Sequence, residues 1–437
     1  MRAALRPLRL PVFRRLALVR FVDELGDWMG EIALAVLVFD QTGSPMATAA
    51  VFLALQFVPA LATPPLVARL ESFHSRVSLP ALSVVQAAAF AGLAVLSTDF
   101  SLVPVIALAA LAGAIAGCGR ALTRAAAATV LTPRRLLREG NALLNIGFTA
   151  GAAAGPALAG VVVATAGPRT ALFADAASFA AVALLLATAS SLPRAKAEAS
   201  RWTTRLRMGL KYVSSHRQLR LLLAAQAMAF VFFAIVIPIE VVFAKRTLDA
   251  GDAGYGALLA SWGAGMVVGG LAFAALRRTE LRILLPASTL AIGCAYLATG
   301  AAPTLLAACV ASAVGGAGNG VQWVALMTAV QQLTPADYQA RVISLLESLA
   351  AAMPGLGFVI GGAVAATFSP RASYAVAGAG VLAVLAVALV ALSRAGWRGE
   401  PVEDDSAAAT AAAVLPGAAA ARAPGGGQLE APDTARR

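Results

Sequence analysis

Cysteine, histidine and lysine are all scarce in this 437-residue chain, and charge is thin: three Cys, two His, and only 13% Asp, Glu, Lys and Arg together. Each shortage closes off some chemistry. Cys118, Cys294 and Cys309 each fall inside an apolar run, so neither a disulfide framework nor a metal site is indicated. His74 and His216 sit in predicted loops without companions. No nucleophile paired with a base, no phosphate loop and no metal cluster is legible, so the chain does not read as an enzyme, and neither cofactor nor metal is expected. Only three of the 34 basic residues are Lys, which together with the Ala-rich runs suggests a GC-rich bacterial genome.

What fills the chain instead is apolar surface. Hydrophobic residues make up 59% of it and the mean hydropathy is +0.79, far outside the range of a soluble domain. Apolar runs of about 20 residues, the length that crosses a bilayer, lie at 16–39, 46–68, 78–97, 102–127, 142–166, 170–190, 219–243, 254–276, 283–300, 304–328, 343–367 and 372–393. The expectation is an all-α integral membrane protein with twelve transmembrane helices and both termini on one side. A net charge of +12 does not indicate a nucleic-acid partner, because the basic residues collect in alternate loops rather than on one face. Counted over loops and helix ends they number 29 on one side against 4 on the other, which by the positive-inside rule places both termini in the cytoplasm. The expected location is the bacterial cytoplasmic membrane.

The same reading divides the chain. Residues 1–15 form a basic cytoplasmic N-terminus, 16–190 and 219–393 two six-helix bundles, 191–218 a cytoplasmic linker and 394–437 an Ala-, Pro- and Gly-rich tail expected to be disordered. A signal peptide is the competing reading of the first span, but its apolar region should not hold four carboxylates. Within the linker, Arg201-Trp-Thr-Thr-Arg-Leu-Arg-Met-Gly-Leu-Lys-Tyr-Val mixes basic and apolar positions at helical spacing, as in a helix lying on a membrane surface. The halves also repeat: Thr132-Pro133 recurs as Thr334-Pro335, Gly155 as Gly357, Gly160 as Gly362 and Pro168-Arg169 as Pro370-Arg371, each 202 residues on. Six spans is an even number, so the two bundles have the same orientation and relate by an axis along the membrane normal.

The first span carries charge where none is expected. Arg20, Glu24, Asp27 and Glu31 fall within roughly 60° of one another on a helix, with Asp23 beside them. Counted from Leu16, Asp27 lies about 16 Å deep, near the middle of a hydrocarbon core about 30 Å thick. Ionisable residues at that depth mark functional sites by default. The plainer alternative is an ion pair of Arg20 with Asp23 or Glu24 that only pins the helix; Asp27 and Glu31 have no basic partner within a turn. The stripe belongs to one half alone, since Glu24 maps onto Gln226 and Asp27 onto Ala229. Asp175 and Glu240 read as lying near outer helix ends and Glu347 near an inner end, within reach of water or headgroups. Gln56, Asn145, Gln226, Asn319 and Gln322 lie well inside spans, where they either join helices by hydrogen bonds or line a substrate cavity.

In the fifth span, Gly151, Gly155, Pro156 and Gly160 set small residues at close-packing intervals around a proline that favours a bend. Twelve spans in two parallel halves, the basic central loop and Gly-x-x-x-Gly-Pro-x-x-Ala-Gly in span five together resemble the major facilitator superfamily, in which this motif is associated with antiporters. Leu25-Gly26-Asp27 followed by Ile32-Ala33-Leu34 and Thr42-Gly43-Ser44 looks like its drug-exporter branch, with macrolide and siderophore (enterobactin) exporters; Arg205-Leu-Arg-Met-Gly-Leu-Lys-Tyr-Val and His216-Arg217-Gln218-Leu219 are similar to that branch as well. The resemblance covers residues 12–393. The gate loop between spans two and three departs from the superfamily: Val67 and Glu71 replace its glycine and aspartate, Arg76 keeps the basic end, and Arg124 stands at the inner end of span four.

The resemblance implies a secondary transporter working by alternating access, a functional monomer in membrane lipid whose energy source is the proton gradient. Four carboxylates and a single Arg on one stripe cannot all stay ionised in a poorly hydrated cavity, so at least one should carry a proton when that cavity is closed. The leading expectation is proton-coupled export of amphipathic small molecules such as drugs or siderophores, with Asp27 and Glu31 exchanging the proton. Its rivals are a facilitator or importer of a metabolite or lipid, since a fold does not fix direction, and a transporter-like sensor without flux, for which the altered loop at Val67 and Glu71 argues.

Overall fold

The computed structural model describes residues 5–70, 75–134, 136–188, 202–276 and 278–397; the side chains of some residues inside these ranges, Asn145 and Arg205 among them, lie outside the description. The described residues are almost wholly helical, with no strand. Ten of the segments are long and apolar enough to cross a membrane. Two more complete the twelve expected. One is α1 (Pro11–Thr42), 32 residues long and set apart from the apolar spans by its charged stripe. The other comes from a break in the helical run Leu137–Ala187 at Gly167, where φ is 81°, a conformation that L side chains resist. The break separates α5 (137–166) from α6 (168–187). The chain stays helical through Pro156, and the break at Gly167 falls where the sequence separates the fifth span from the sixth.

The remaining spans are α2 (Pro45–Phe52, a π-helical turn Leu53–Phe57, then Val58–Leu70), α3 (Ser75–Leu96), α4 (Leu102–Leu131) and α7 (Arg217–Thr247). They continue with α8 (Gly251–Ala275), α9 (Leu281–Ala301), α10 (Leu305–Gln332), α11 (Ala336–Ala352 and Pro354–Thr367) and α12 (Pro370–Arg394). Their ends follow local chemistry. At the end of α1, Gly43 turns left-handed with φ 60° and gives its N–H to the Phe39 carbonyl at 2.8 Å. Ser44 then caps α2, its hydroxyl accepting the Ala47 N–H at 3.2 Å.

Repeat-related residues make repeat-related contacts. A Cβ on Gly160 of α5 would lie 2.5 Å from Gly256 Cα of α8, and one on Gly362 of α11 would lie 2.8 Å from Ala49 Cβ of α2. Both glycines join one half to the other. Their partners 202 residues apart, Gly155 and Gly357, seat helices of their own half: Trp28 of α1 and the Val231 carbonyl of α7. The two halves are thus built alike and set side by side in the same sense, as the repeat required.

The apolar core is shared unevenly. At the end of the molecule remote from the termini, one continuous cluster runs through both halves, from Ile32 and Phe52 to Phe243 and Phe358. At the end where the termini lie, each half has a core of its own, Phe13 to Leu131 and Leu186 in the first and Val213 to Leu346 in the second. The halves therefore share one core at one end and keep separate cores at the other. Between them the linker forms a helix over Trp202–Ser215. It packs on α11: Tyr212 stacks on Tyr338 with centroids 4.3 Å apart, and Gly209 abuts the Arg341 carbonyl. The linker before it and the tail from residue 398 lie outside the described residues.

Candidate functional site

The site grows from the charged stripe of α1. Arg20 is buried and bridges its own helix, with Nη2 2.6 Å from Glu24 Oε2 and Nη1 3.4 Å from Asp23 Oδ2. This is the pinning pair weighed from the sequence. Glu24 in turn lies against Gly151 of α5, where a Cβ would come within 2.6 Å of its Cγ. One turn on, Trp28 fills the space over Gly155. Gly151 and Gly155 thereby bring α5 against the charged helix, so close packing and charge placement are one design here.

Asp27 and Glu31 point to other partners, and the sequence did not reveal the first. Arg120 of α4 places Nη1 3.1 Å from Asp27 Oδ2, and Gln86 of α3 places its amide nitrogen 3.5 Å from Oδ1. The stripe therefore has two arginines for its four carboxylates, not one. Arg120 stands 18 residues into α4, a helix that runs from Leu102 to Leu131, and so lies within the span rather than beyond its inner end. The pair is not sealed off, since side-chain exposure is 23% for Asp27 and 41% for Arg120. Glu31 accepts from Gln56 Nε2 at 2.9 Å. That glutamine sits in the π-helical turn of α2, where an extra residue per turn re-aims a side chain.

Asp175 is the second surprise. Expected near an outer helix end with water in reach, it is 0% exposed and faces α1 from α6. A Cβ on Gly26 would lie 2.4 Å from its Oδ1, and one on Gly30 equally close to its Oδ2. Two glycines flanking Asp27 open the notch that this carboxyl occupies. Ser178 Oγ lies 3.3 Å from Oδ1, while Oδ2 is buried without a hydrogen-bond partner among the described residues. Glu240 of α7 is likewise buried, not at a wet helix end. The carboxyl groups of Asp23, Glu24, Asp27, Glu31 and Asp175 thus gather around one helix, held from α2, α3, α4, α5 and α6.

The other sequence candidates scatter. Arg124 and Glu347 face each other across the two halves at 4.0 Å, both more than half exposed, at the end where the cores are separate. Arg76 is exposed near the start of α3, and Glu71 lies outside the described residues. Gln226 and Gln322 line one cavity inside the second half, whereas Asn319 turns to Met266, with Nδ2 3.7 Å from Sδ. The side chain of Asn145 lies outside the description.

At the fused end a clasp crosses the halves. Lys245 of α7 holds Asp40 of α1 at 2.5 Å and Asp252 of α8 at 2.6 Å. Next to it Arg246 lies over the Phe39 ring, 4.9 Å from its centre, and above Gly43. A carboxylate cluster thus lies inside one half, with the two halves sharing an apolar core at one end and keeping separate cores at the other.

Solved structures share this architecture. A mutant of the nucleoside transporter NupG superposes with a TM-score of 0.70 at 14% identity, covering 87% of this chain and 99% of its own. A bacterial homologue of the iron transporter ferroportin in an inward-facing state gives 0.69 at 17% identity, over 88% and 99%. A bacterial homologue of the human lysosomal transporter Spinster, inward-facing and unoccupied, gives 0.65 at 14% identity, over 94% and 97%. Among curated proteins no sequence matches. At such identities these likenesses speak for the fold alone. The family model described as transmembrane secretion effector matches residues 2–408, and the chain belongs to that family, as a multi-pass membrane transporter of the major facilitator superfamily.

Proposed function

We propose that this protein is a proton-coupled exporter of amphipathic small molecules, with Asp27 as the group that takes up and releases the proton. The observation that carries the reading is the Asp27–Arg120 pair, which joins α1 to α4 in mid-span and remains partly exposed. A proton on Asp27 cancels the attraction that holds Arg120, and a cationic substrate competes for the same carboxylate. Proton and substrate then exclude each other, which yields antiport. Arg20 keeps Glu24 and Asp23 occupied, and Glu31 with Gln56 extends the polar path one turn further along α1. The excess of basic residues beside the termini supports a cytoplasmic location for both, with the end where the cores are separate facing inward.

Inverted vesicles holding a pH gradient test this directly. Lipophilic cations, macrolides and siderophores are added in turn to the wild-type protein and to Asp27→Asn. The expected result is proton release on addition of a substrate through the wild type and none through the variant. Export by Asp27→Asn with unchanged pH dependence would remove the role from this residue, and silence toward the whole panel would favour a facilitator or a sensor.

A further inference from the structure

The internal repeat maps the charged cluster onto a cavity. Glu24, Asp27 and Arg120 stand 202 residues before Gln226, Ala229 and Gln322. In the first half Asp27 and Arg120 form the ion pair between α1 and α4, and Glu24 pairs with Arg20 of its own helix. In the second, all three line an opening of about 290 Å³ among α7, α9, α10 and α12, the helices equivalent to α1, α3, α4 and α6. Replacing two acids and an arginine by two amides and a methyl group has removed charge and bulk while keeping hydrogen-bonding capacity.

The lining is amphipathic. Leu222, Leu285, Leu326 and Leu385 supply apolar wall, and Gln322 Nε2 donates to Thr289 Oγ1 at 2.9 Å across the cavity's polar side. Gln226 is 8% exposed and its amide has no partner among the described residues. A buried amide facing a cavity is satisfied when an occupant supplies the missing donor or acceptor. No lining residue is acidic, and the single ionised one is Arg282, already engaged through Nε with Glu280. The volume is that of a small ligand, near the lower end of the usual range of about 300–1,000 Å³.

We propose that this cavity is a binding site for an uncharged amphipathic molecule, its apolar body against Leu222, Leu285 and Leu385 and a carbonyl or hydroxyl group paired with the Gln226 amide. With no carboxylate to offer, it disfavours cations, and so complements the acidic stripe of the first half. The assignment does not rest on proton coupling, because it concerns the half without the carboxylates.

The test uses the full chain in lipid nanodiscs, radiolabelled decanamide as the probe and empty nanodiscs as the partition control. Saturable binding is expected, competed at least tenfold better by decanamide than by decylammonium. Gln226→Leu should weaken it at least fivefold, and Ala229→Phe, which fills the cavity, should abolish it. Ala388→Phe fills the same space from α12 and serves if thermal unfolding shows Ala229→Phe to be misfolded. Binding no greater than in empty nanodiscs, binding that survives both filled variants, or equal competition by decylammonium overturns the proposal. Proton release is read separately, so its loss with decanamide binding retained would count only against the coupling role of Asp27.

Discussion

Asp175 owes its place to two residues with no side chain. Its carboxyl fits against α1 only because positions 26 and 30 are glycine, where a Cβ would fall 2.4 Å from its oxygens. Gly26→Ala is therefore an overpacking change, expected to lower stability by about 1–3 kcal/mol and to depress the thermal unfolding midpoint of the purified protein. Asp175→Ala in that background should restore part of the loss, since it removes one of the two groups that the new methyl meets; the other is Ser178 Oγ. Equal midpoints for wild type and Gly26→Ala would mean that α1 and α6 are not packed this closely. The stripe itself was legible from spacing, because 100° per residue fixes which side chains share a helical face. Arg120 and Asp175 were not, because each meets the stripe from another helix.

Between elements, small residues decide how near two helices come. The fifth-span motif splits its work: Gly151 and Gly155 seat Glu24 and Trp28 inside the first half, while Gly160 meets Gly256 of the second. The motif was visible in the sequence, but its division between partners was not, since four-residue spacing names a face and leaves the neighbour open. Gly160→Val puts a branched side chain where the α5 and α8 backbones touch, so the halves must separate there. Spin labels placed on the far ends of α5 and α8 should report a longer distance in this variant than in the wild type. An unaltered distance would show that the contact is not what sets the approach. The fifth span ends and the sixth begins at Gly167.

At the scale of the whole molecule, a shared core and one clasp hold the halves together at one end, while at the other they meet in the exposed Arg124–Glu347 pair. Lys245 joins Asp40 of the first half to Asp252 of its own, at a partly exposed site where such pairs contribute about 0.2–1 kcal/mol each. Lys245→Ala should thus raise the population opened at the fused end by at most about fivefold. The difference should shrink at high salt, which already screens a partly exposed pair. Distance measurements between labels on the α1–α2 and α7–α8 turns read this population; no change at low salt would assign the closure to the apolar core alone.

The sequence by itself determined the number of spans, their limits to within a few residues, the parallel relation of the halves and the charged stripe. Each of these is a property of one stretch of chain, or of one stretch compared with its own repeat 202 residues away. Only the tertiary structure decided that Asp27 meets Arg120, that Asp175 lies in a notch of two glycines, and that Gln226 and Gln322 share a cavity while Asn319 does not. Those outcomes depend on how far each helix is rotated about its axis. In a membrane, where both the lipid and the protein interior are apolar, hydrophobicity does not set that rotation; packing of small residues and pairing of polar ones do.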